Sequence, residues 1–185
     1  MTPELVNYCE WLAWFVSWMA AAIWSERAVA RASNQLGYRA VTVVGAVLLF
    51  GPVRVRFPLW TIDLTAAWTA DAFAAVGFLF TWWARIHLGT LWSSQVTRKA
   101  HHHVVDTGPY GIVRHPIYSG LSLATLSTLA LRGSATSLAG AALLITGYYM
   151  KARIEERFLR EQLGAAEYDA YARRIPMLIP FAVRG

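Results

Sequence analysis

The side chains best suited to chemistry crowd into two stretches of the chain. All five histidines, His87, His101, His102, His103 and His115, fall between residues 87 and 115. The same region carries Gln95, Val104, Val105, Gly108-Pro109-Tyr110 and the run Arg114-His115-Pro116-Ile117-Tyr118. A second cluster, Lys151-Ala-Arg153-Ile-Glu155-Glu156, follows the last long apolar run. Lys151 and Glu155 are four residues apart and so share one helix face. Pro116 suits the first turn of a helix, where its missing N–H costs nothing. Arg114 and His115 then stand at the head of that helix, where free N–H groups and the dipole favour an anionic group. Together these residues can hold an anion and a cation side by side.

Each feature also has a plainer reading. Three consecutive histidines suggest a metal, but neighbours in an extended loop point to opposite faces. No Cys or carboxylate pair stands at metal spacing, so no metal site is expected. Lys151 with Glu155 can be an ordinary helix pair worth a few tenths of a kcal/mol. Arg114 and His115 can be interfacial anchors, and Tyr110 and Tyr118 belt aromatics. Glu10 and Asp71 sit inside apolar runs, where ionisable groups are functional suspects. Both fall toward the end away from the histidines and are expected to be interfacial.

The elements that must position these groups are apolar. Of 185 residues, 56% are hydrophobic and 15% charged, against roughly 25% charged in a soluble domain. Mean hydropathy is +0.37. That excludes disorder, a coiled coil and a disulfide-stapled module, and one small soluble core could not hide so much apolar surface. The single Cys9 can form no internal disulfide. The first basic residue, Arg27, follows the first apolar run, so no secretory signal is expected. The formal charge of +6 sits mostly beside apolar runs and points to anionic lipid rather than nucleic acid. No obligate protein partner is evident.

Five runs read as membrane helices: about Leu5 to Trp24, Ala40 to Val53, Leu64 to Ala84, Pro116 to Leu131 and Gly133 to Met150. The last two form a hairpin through Arg132-Gly133-Ser134, and Trp60, Trp68, Trp82, Trp83 and Trp92 lie near run ends, as an aromatic belt would. If the runs alternate, fourteen of the seventeen Lys and Arg fall on one side. Only Arg54, Arg56 and Arg132 fall on the other. The positive-inside rule then puts the N-terminus outside and the histidine-bearing segment in the cytoplasm. The expected fold is an all-α polytopic membrane bundle of about five spans with a cytoplasmic helical tail. Ile154, Phe158 and Leu159 give that tail an apolar face, with Gly164 as its C-cap. The proline-punctuated Ile175 to Pro180 either lies on the membrane or closes back over the site.

The run His102-x-Val104-Val105-x-x-Gly-Pro-Tyr110-x-x-x-Arg114-His115-Pro116-x-Tyr118-x-Gly120 resembles the signature of the isoprenylcysteine carboxyl methyltransferases and related phospholipid N-methyltransferases. Glu155-Glu156-x-x-Leu159, Gly164, Tyr168, Tyr171 and the Ile-Pro pairs 175–176 and 179–180 are similar to the same family's tail. The resemblance covers about residues 85 to 181 and makes that part the methyltransferase core of a single domain, with 1–84 as variable spans. It implies an all-helical, S-adenosylmethionine-dependent enzyme acting on a lipophilic acceptor such as a prenylcysteine. The chain has no G-x-G-x-x-G to support a soluble dinucleotide-type fold.

The resemblance also assigns roles. The cofactor pocket would comprise Gln95, His102, His103, Val104, Val105, Tyr110, His115, Pro116, Ile117, Tyr118, Glu155 and Glu156. Arg114, Lys151 and Glu155 would carry the transfer itself. The family's acceptor-carboxylate contact is usually Arg, and here the aligned residue is Lys151, a point charge without Arg's bidentate grip. An amine-acceptor methyltransferase is the alternative within the family. A further alternative is a NADPH-dependent membrane reductase, which shares an Arg-His-x-x-Tyr motif but usually carries Asn where Pro116 stands.

Overall fold

The computed structural model describes residues 1–24, 30–31, 35–51, 58–92, 97–98 and 105–182. Gln95, His102, His103 and Val104 lie outside the described residues. Among the described residues there are six α-helices: α1 Pro3–Ala20, α2 Leu36–Phe50, α3 Leu64–Leu88, α4 Pro116–Arg132, α5 Ala135–Leu163 and α6 Ala165–Arg174. Among the described residues the only strand pairing is Ala30–Arg31 with Thr97–Arg98, antiparallel.

Local sequence explains the helix ends. Thr2 caps α1 ahead of Pro3, and Asp63 caps α3 by accepting from the Ala66 N–H at 2.8 Å. Between α4 and α5 the turn is as short as the sequence suggests. Gly133 takes the left-handed conformation (φ 56°), which glycine adopts without steric cost, and Ser134 with Ser137 closes a reciprocal capping box. The tail differs from expectation. Instead of a span ending near Met150 and a separate tail helix, α5 runs unbroken for 29 residues, about 44 Å at 1.5 Å per residue. No Gly or Pro interrupts Lys151 to Leu163, and Ala, Arg, Glu and Leu there all favour helix.

The main packings are α3 on α4 and α2 on α5, and small residues set their closeness. A Cβ on Gly77 would meet the Gly120 carbonyl oxygen at 2.5 Å, and one on Gly45 would meet the Leu144 nitrogen at 2.7 Å. Backbones this close are how helices pack where lipid removes the hydrophobic drive between them. Helix α1 lies over α3 and α4. Its Trp11 ring is 4.9 Å from that of Phe78, and its Trp11 and Trp14 indoles donate to Thr128 and Thr81 at 2.8 Å each.

Large apolar side chains face outward along the bundle: Leu12, Phe15 and Val16 on α1, Val43, Val44 and Val47 on α2, Val76, Leu79 and Trp83 on α3. A soluble monomer rarely exposes so extended an apolar surface. Helix α3 with its following turn, Leu64–Leu91, is long and apolar enough to cross a membrane, and α2 is a shorter apolar helix. Trp92 is not a belt residue. It is buried beneath an arginine described below.

Candidate active site

The site forms where the head of α4, the far part of α5 and the returning tail meet. His115 is the residue just before α4 and is buried. Its Nδ1 lies 3.4 Å from Glu155 and its Nε2 3.3 Å from Glu156. Two carboxylates from successive positions of one helix therefore grip one imidazole. Burial alone would push the His115 pKa down, but the hydrogen bonds and charges of Glu155 and Glu156 outweigh it, and the net shift is upward. Burial likewise opposes ionisation of both glutamates. His115 is the chief partner that nonetheless holds each below the ordinary carboxylate range, helped at Glu155 by Lys151 and Tyr118 and at Glu156 by Arg114. Both shifts favour the charged pairing of the His115 ring with the two carboxylates.

Arg114 is a bracket. Its Nε donates to Glu156 at 2.7 Å, and one terminal nitrogen donates to the carbonyls of Ala172 and Ile175 at 2.8 and 2.6 Å. The backbone repeats the link: the Arg114 and His115 N–H groups donate to the carbonyls of Pro176 and Met177 at 2.8 and 3.1 Å. Ser119 adds a hydroxyl bond to the Leu178 carbonyl. Of the two courses open to the tail, it takes the one that closes over the site. The anion beside the head of α4 is the chain's own Glu156.

Tyr118 donates its hydroxyl to Glu155 at 2.5 Å. Its ring is near parallel to those of His115 (5.7 Å, 22°) and Tyr148 (6.2 Å, 8°). The Lys151 ammonium sits 4.0 Å from Glu155, 5.4 Å from the Tyr118 ring centre and 5.8 Å from that of Tyr38 on α2. Pro116 is buried and Ile117 half-buried, packed against the core that α4 and α5 share. Tyr110 is buried, accepts from the Tyr171 hydroxyl through its carbonyl at 2.9 Å and stacks on His87 at 6.4 Å. Burial raises its hydroxyl pKa well above the ordinary value, so it stays neutral. Val105 is half-buried at the start of that segment.

The structure thus brings together Arg114, His115, Tyr118, Lys151, Glu155 and Glu156. It also adds residues that no motif marks. Arg85 is fully buried, donates to the Gly89 and Ala21 carbonyls at 2.8 and 2.6 Å and lies 4.1 Å from the Trp92 ring centre. At the end of an apolar run it looks like one more interfacial cation, and nothing local marks it as a staple between α1 and α3. Tyr38 is hidden in a half of the chain legible only as spans. Of the two acids inside apolar runs, Glu10 is half-buried and Asp71 is buried within the bundle. Asp71 is 4% exposed, enclosed with Asn7 at the opposite end of the bundle, because α1 covers that face of α3 and α4.

These features define an apolar-surfaced helical protein with a charged, tail-covered site at one end of a helix hairpin. Residues 70–161 match the model of the isoprenylcysteine carboxyl methyltransferase (ICMT) family, and over that stretch the chain is similar to that family. It is 33% identical over 89 residues to protein-S-isoprenylcysteine O-methyltransferase B of Arabidopsis thaliana, covering 47% of this chain and 44% of that protein. It is 32% identical over 142 residues to the cobalt-zinc-cadmium resistance protein CzcN of Cupriavidus metallidurans, covering 76% of this chain and 60% of that one. The chain therefore spans about half the length of these curated relatives.

Proposed function

We propose that this protein transfers a methyl group from S-adenosylmethionine to the carboxylate of a lipophilic, isoprenylcysteine-like acceptor. The observation that carries this reading is the make-up of the site. Two basic side chains, Arg114 and Lys151, one buried histidine, two glutamates and a stack of aromatic rings stand at the edge of an apolar bundle. This set binds and orients charge, and it offers no activated nucleophile. A carboxylate acceptor is already ionised at neutral pH and needs no base to attack. What the protein must supply is alignment and exclusion of water.

The residues present fit the cofactor, which carries an ammonium, a carboxylate, ribose hydroxyls and a sulfonium. Glu155 is the acceptor for its cationic or hydroxyl-bearing end. Gln95, His102, His103, Val104, Val105 and Tyr110 belong to the same pocket by family resemblance, with Pro116 and Ile117 as its floor. When bound, the cofactor would supply an electrophilic methyl: the acceptor's C–O bond forms as the methyl–sulfur bond breaks, leaving the electron pair on sulfur. Lys151 attracts the acceptor carboxylate. His115 and Glu156 are positioning residues that hold Glu155, and Arg114 locks the tail above them. The lipophilic acceptor enters from the bilayer, past the outward apolar faces. We place five membrane passes at α1 to α4 and the part of α5 up to Met150, with the N-terminus outside and the site in the cytoplasm, on the basic-residue split. Residues 85–181 then form the catalytic core, to which α2 lends Tyr38.

The test is to incubate the detergent-purified full chain with methyl-labelled S-adenosylmethionine and an S-prenylated N-acetylcysteine. The expected product is a base-labile methyl ester, reduced at least tenfold by Glu155→Ala, since a charge-assisted hydrogen bond is worth roughly 1.5–3 kcal/mol. Label that appears only on lipid amines would replace this reading with an N-methyltransferase.

A further inference from the structure

Lys151 rests in an unusual place for a clamp. Its ammonium is not directed outward to await an anion. It lies within 6 Å of two tyrosine ring centres, on α2 and α4, with the Glu155 carboxylate 4.0 Å away. That is the range over which a ring face attracts a cation, and paired aromatic faces beside a carboxylate are how proteins recognise onium groups. The rings are fixed. Tyr118 is held by Glu155 and by stacking on both His115 and Tyr148. Tyr38 is held through its hydroxyl, which donates to Gln35 at 3.1 Å. The lysine reaches them as a point charge on a four-carbon stem.

We propose that the faces of Tyr38 and Tyr118, backed by Glu155, form an onium-cation site in which the Lys151 ammonium is an internal stand-in. The occupant it stands in for is the sulfonium of the methyl donor. This inference rests on the methyltransferase reading above and specifies how its two ligands communicate. An ammonium is strongly hydrated, so among aromatic rings it is the more costly cation to keep. A sulfonium carries no N–H donors to satisfy. When an acceptor carboxylate draws Lys151 out, the rings become free for the sulfonium, so each ligand favours the other by the same factor. After transfer the donor is a neutral thioether with no claim on the rings, and Lys151 returns. The lysine thereby links acceptor arrival to sulfonium seating and product formation to product release.

The test measures affinities rather than turnover. Isothermal titration of the full chain in detergent compares S-adenosylmethionine with its neutral thioether product, S-adenosylhomocysteine. Lys151→Met should tighten the sulfonium by about 2- to 30-fold, the range of a cation–π contact, and leave the thioether within twofold. Tyr118→Leu or Tyr38→Leu should remove the preference for the sulfonium. Tyr118→Phe, which keeps the ring and loses only the hydroxyl, should retain it. The inference is overturned if Lys151→Met shifts both ligands alike, or if Tyr118→Phe behaves as Tyr118→Leu. If neither adenosyl ligand binds wild type, the cofactor reading fails by itself, and trimethylsulfonium then decides the cage. It should raise the melting temperature of Lys151→Met more than that of wild type at equal ionic strength, and no difference refutes the cage.

Discussion

The two ends of the bundle handle buried charge in opposite ways. At the site, the head of α4, the far part of α5 and the returning tail converge so that each titratable side chain meets a counterpart: Arg114 with Glu156, His115 with both glutamates, Lys151 with Glu155. At the far end, Asn7, Glu10, Asp71 and Arg132 are also withdrawn from the surface. Yet Asn7 Nδ2, Glu10 Oε2, Asp71 Oδ1 and Arg132 Nε have no hydrogen-bond partner among the described residues. A cavity of about 250 Å³ opens there, lined by Glu4, Asn7, Tyr8, Thr128, Leu131, Arg132 and Ser134. Among the described residues Arg132 is tied to the Tyr8 hydroxyl and ring and, at 2.9 Å, to the Gly51 carbonyl. Buried polar atoms normally find partners, and a fully connected network fixes one geometry where a partial one does not. The comparison therefore separates an end built for alignment from an end that tolerates looseness.

The largest effect should come from breaking the connected end. Arg114 has a side-chain exposure of 7% and Glu156 of 14%. Removing one partner of such a pair strands the other, at a cost of about 3–5 kcal/mol. Arg114→Met should thus lower the melting temperature sharply and free the tail, seen as faster proteolysis after α6. Arg132→Met removes a cation whose bonds are fewer and partly exposed, and should cost less than half as much. Equal losses in the two variants would break the comparison.

Much of this division is legible in the sequence, and some is not. Pro116, Gly133 and Ser134 announce the hairpin because their chemistry is local. The site motifs point to Arg114, His115, Tyr118 and Glu155 because their types and spacing resemble a family signature. The role of Arg114 as a tail bracket is not legible, since its carbonyl partners Ala172 and Ile175 carry no side-chain signal. Arg85 escapes notice for the converse reason: its type at a helix end has a common, sufficient explanation in the interface. Tyr38 and the Asn7–Asp71 grouping depend on which helices pack together, and periodicity does not reveal that.

A smaller effect sharpens the comparison through pH. The folded pKa of His115 lies above its ordinary 6.5, so its stabilising contribution is complete below pH 6.5 and is lost as pH rises through the folded value. Those of Glu155 and Glu156 lie below their ordinary 4.5, so their contributions are complete above pH 4.5 and are lost as pH falls through the depressed values. The connected end is therefore held best between pH 4.5 and 6.5. Stability followed by thermal unfolding should therefore decline on the alkaline side. His115→Gln should flatten that decline. An alkaline limb unchanged in His115→Gln would mean that the imidazolium is not what binds the two glutamates.

The smallest effect belongs to the loose end, and its sign is the informative part. Asp71 is buried beside Asn7 with one carboxylate oxygen unpartnered. Burying a charge without full compensation costs free energy in the folded state, so Asp71→Asn, nearly isosteric and neutral, removes a penalty and little else. It should leave the melting temperature unchanged or raise it by a few degrees, consistent with about 1 kcal/mol in a chain of this size. Affinity for S-adenosylmethionine should stay within twofold, because no hydrogen-bonded path links Asp71 to Glu155 among the described residues. The same change at the connected end, Glu156→Asn or Glu156→Gln, strands Arg114 and should do the reverse. If Asp71→Asn destabilises as strongly as Arg114→Met, or weakens cofactor binding tenfold, the far end is a working site as tightly built as the first.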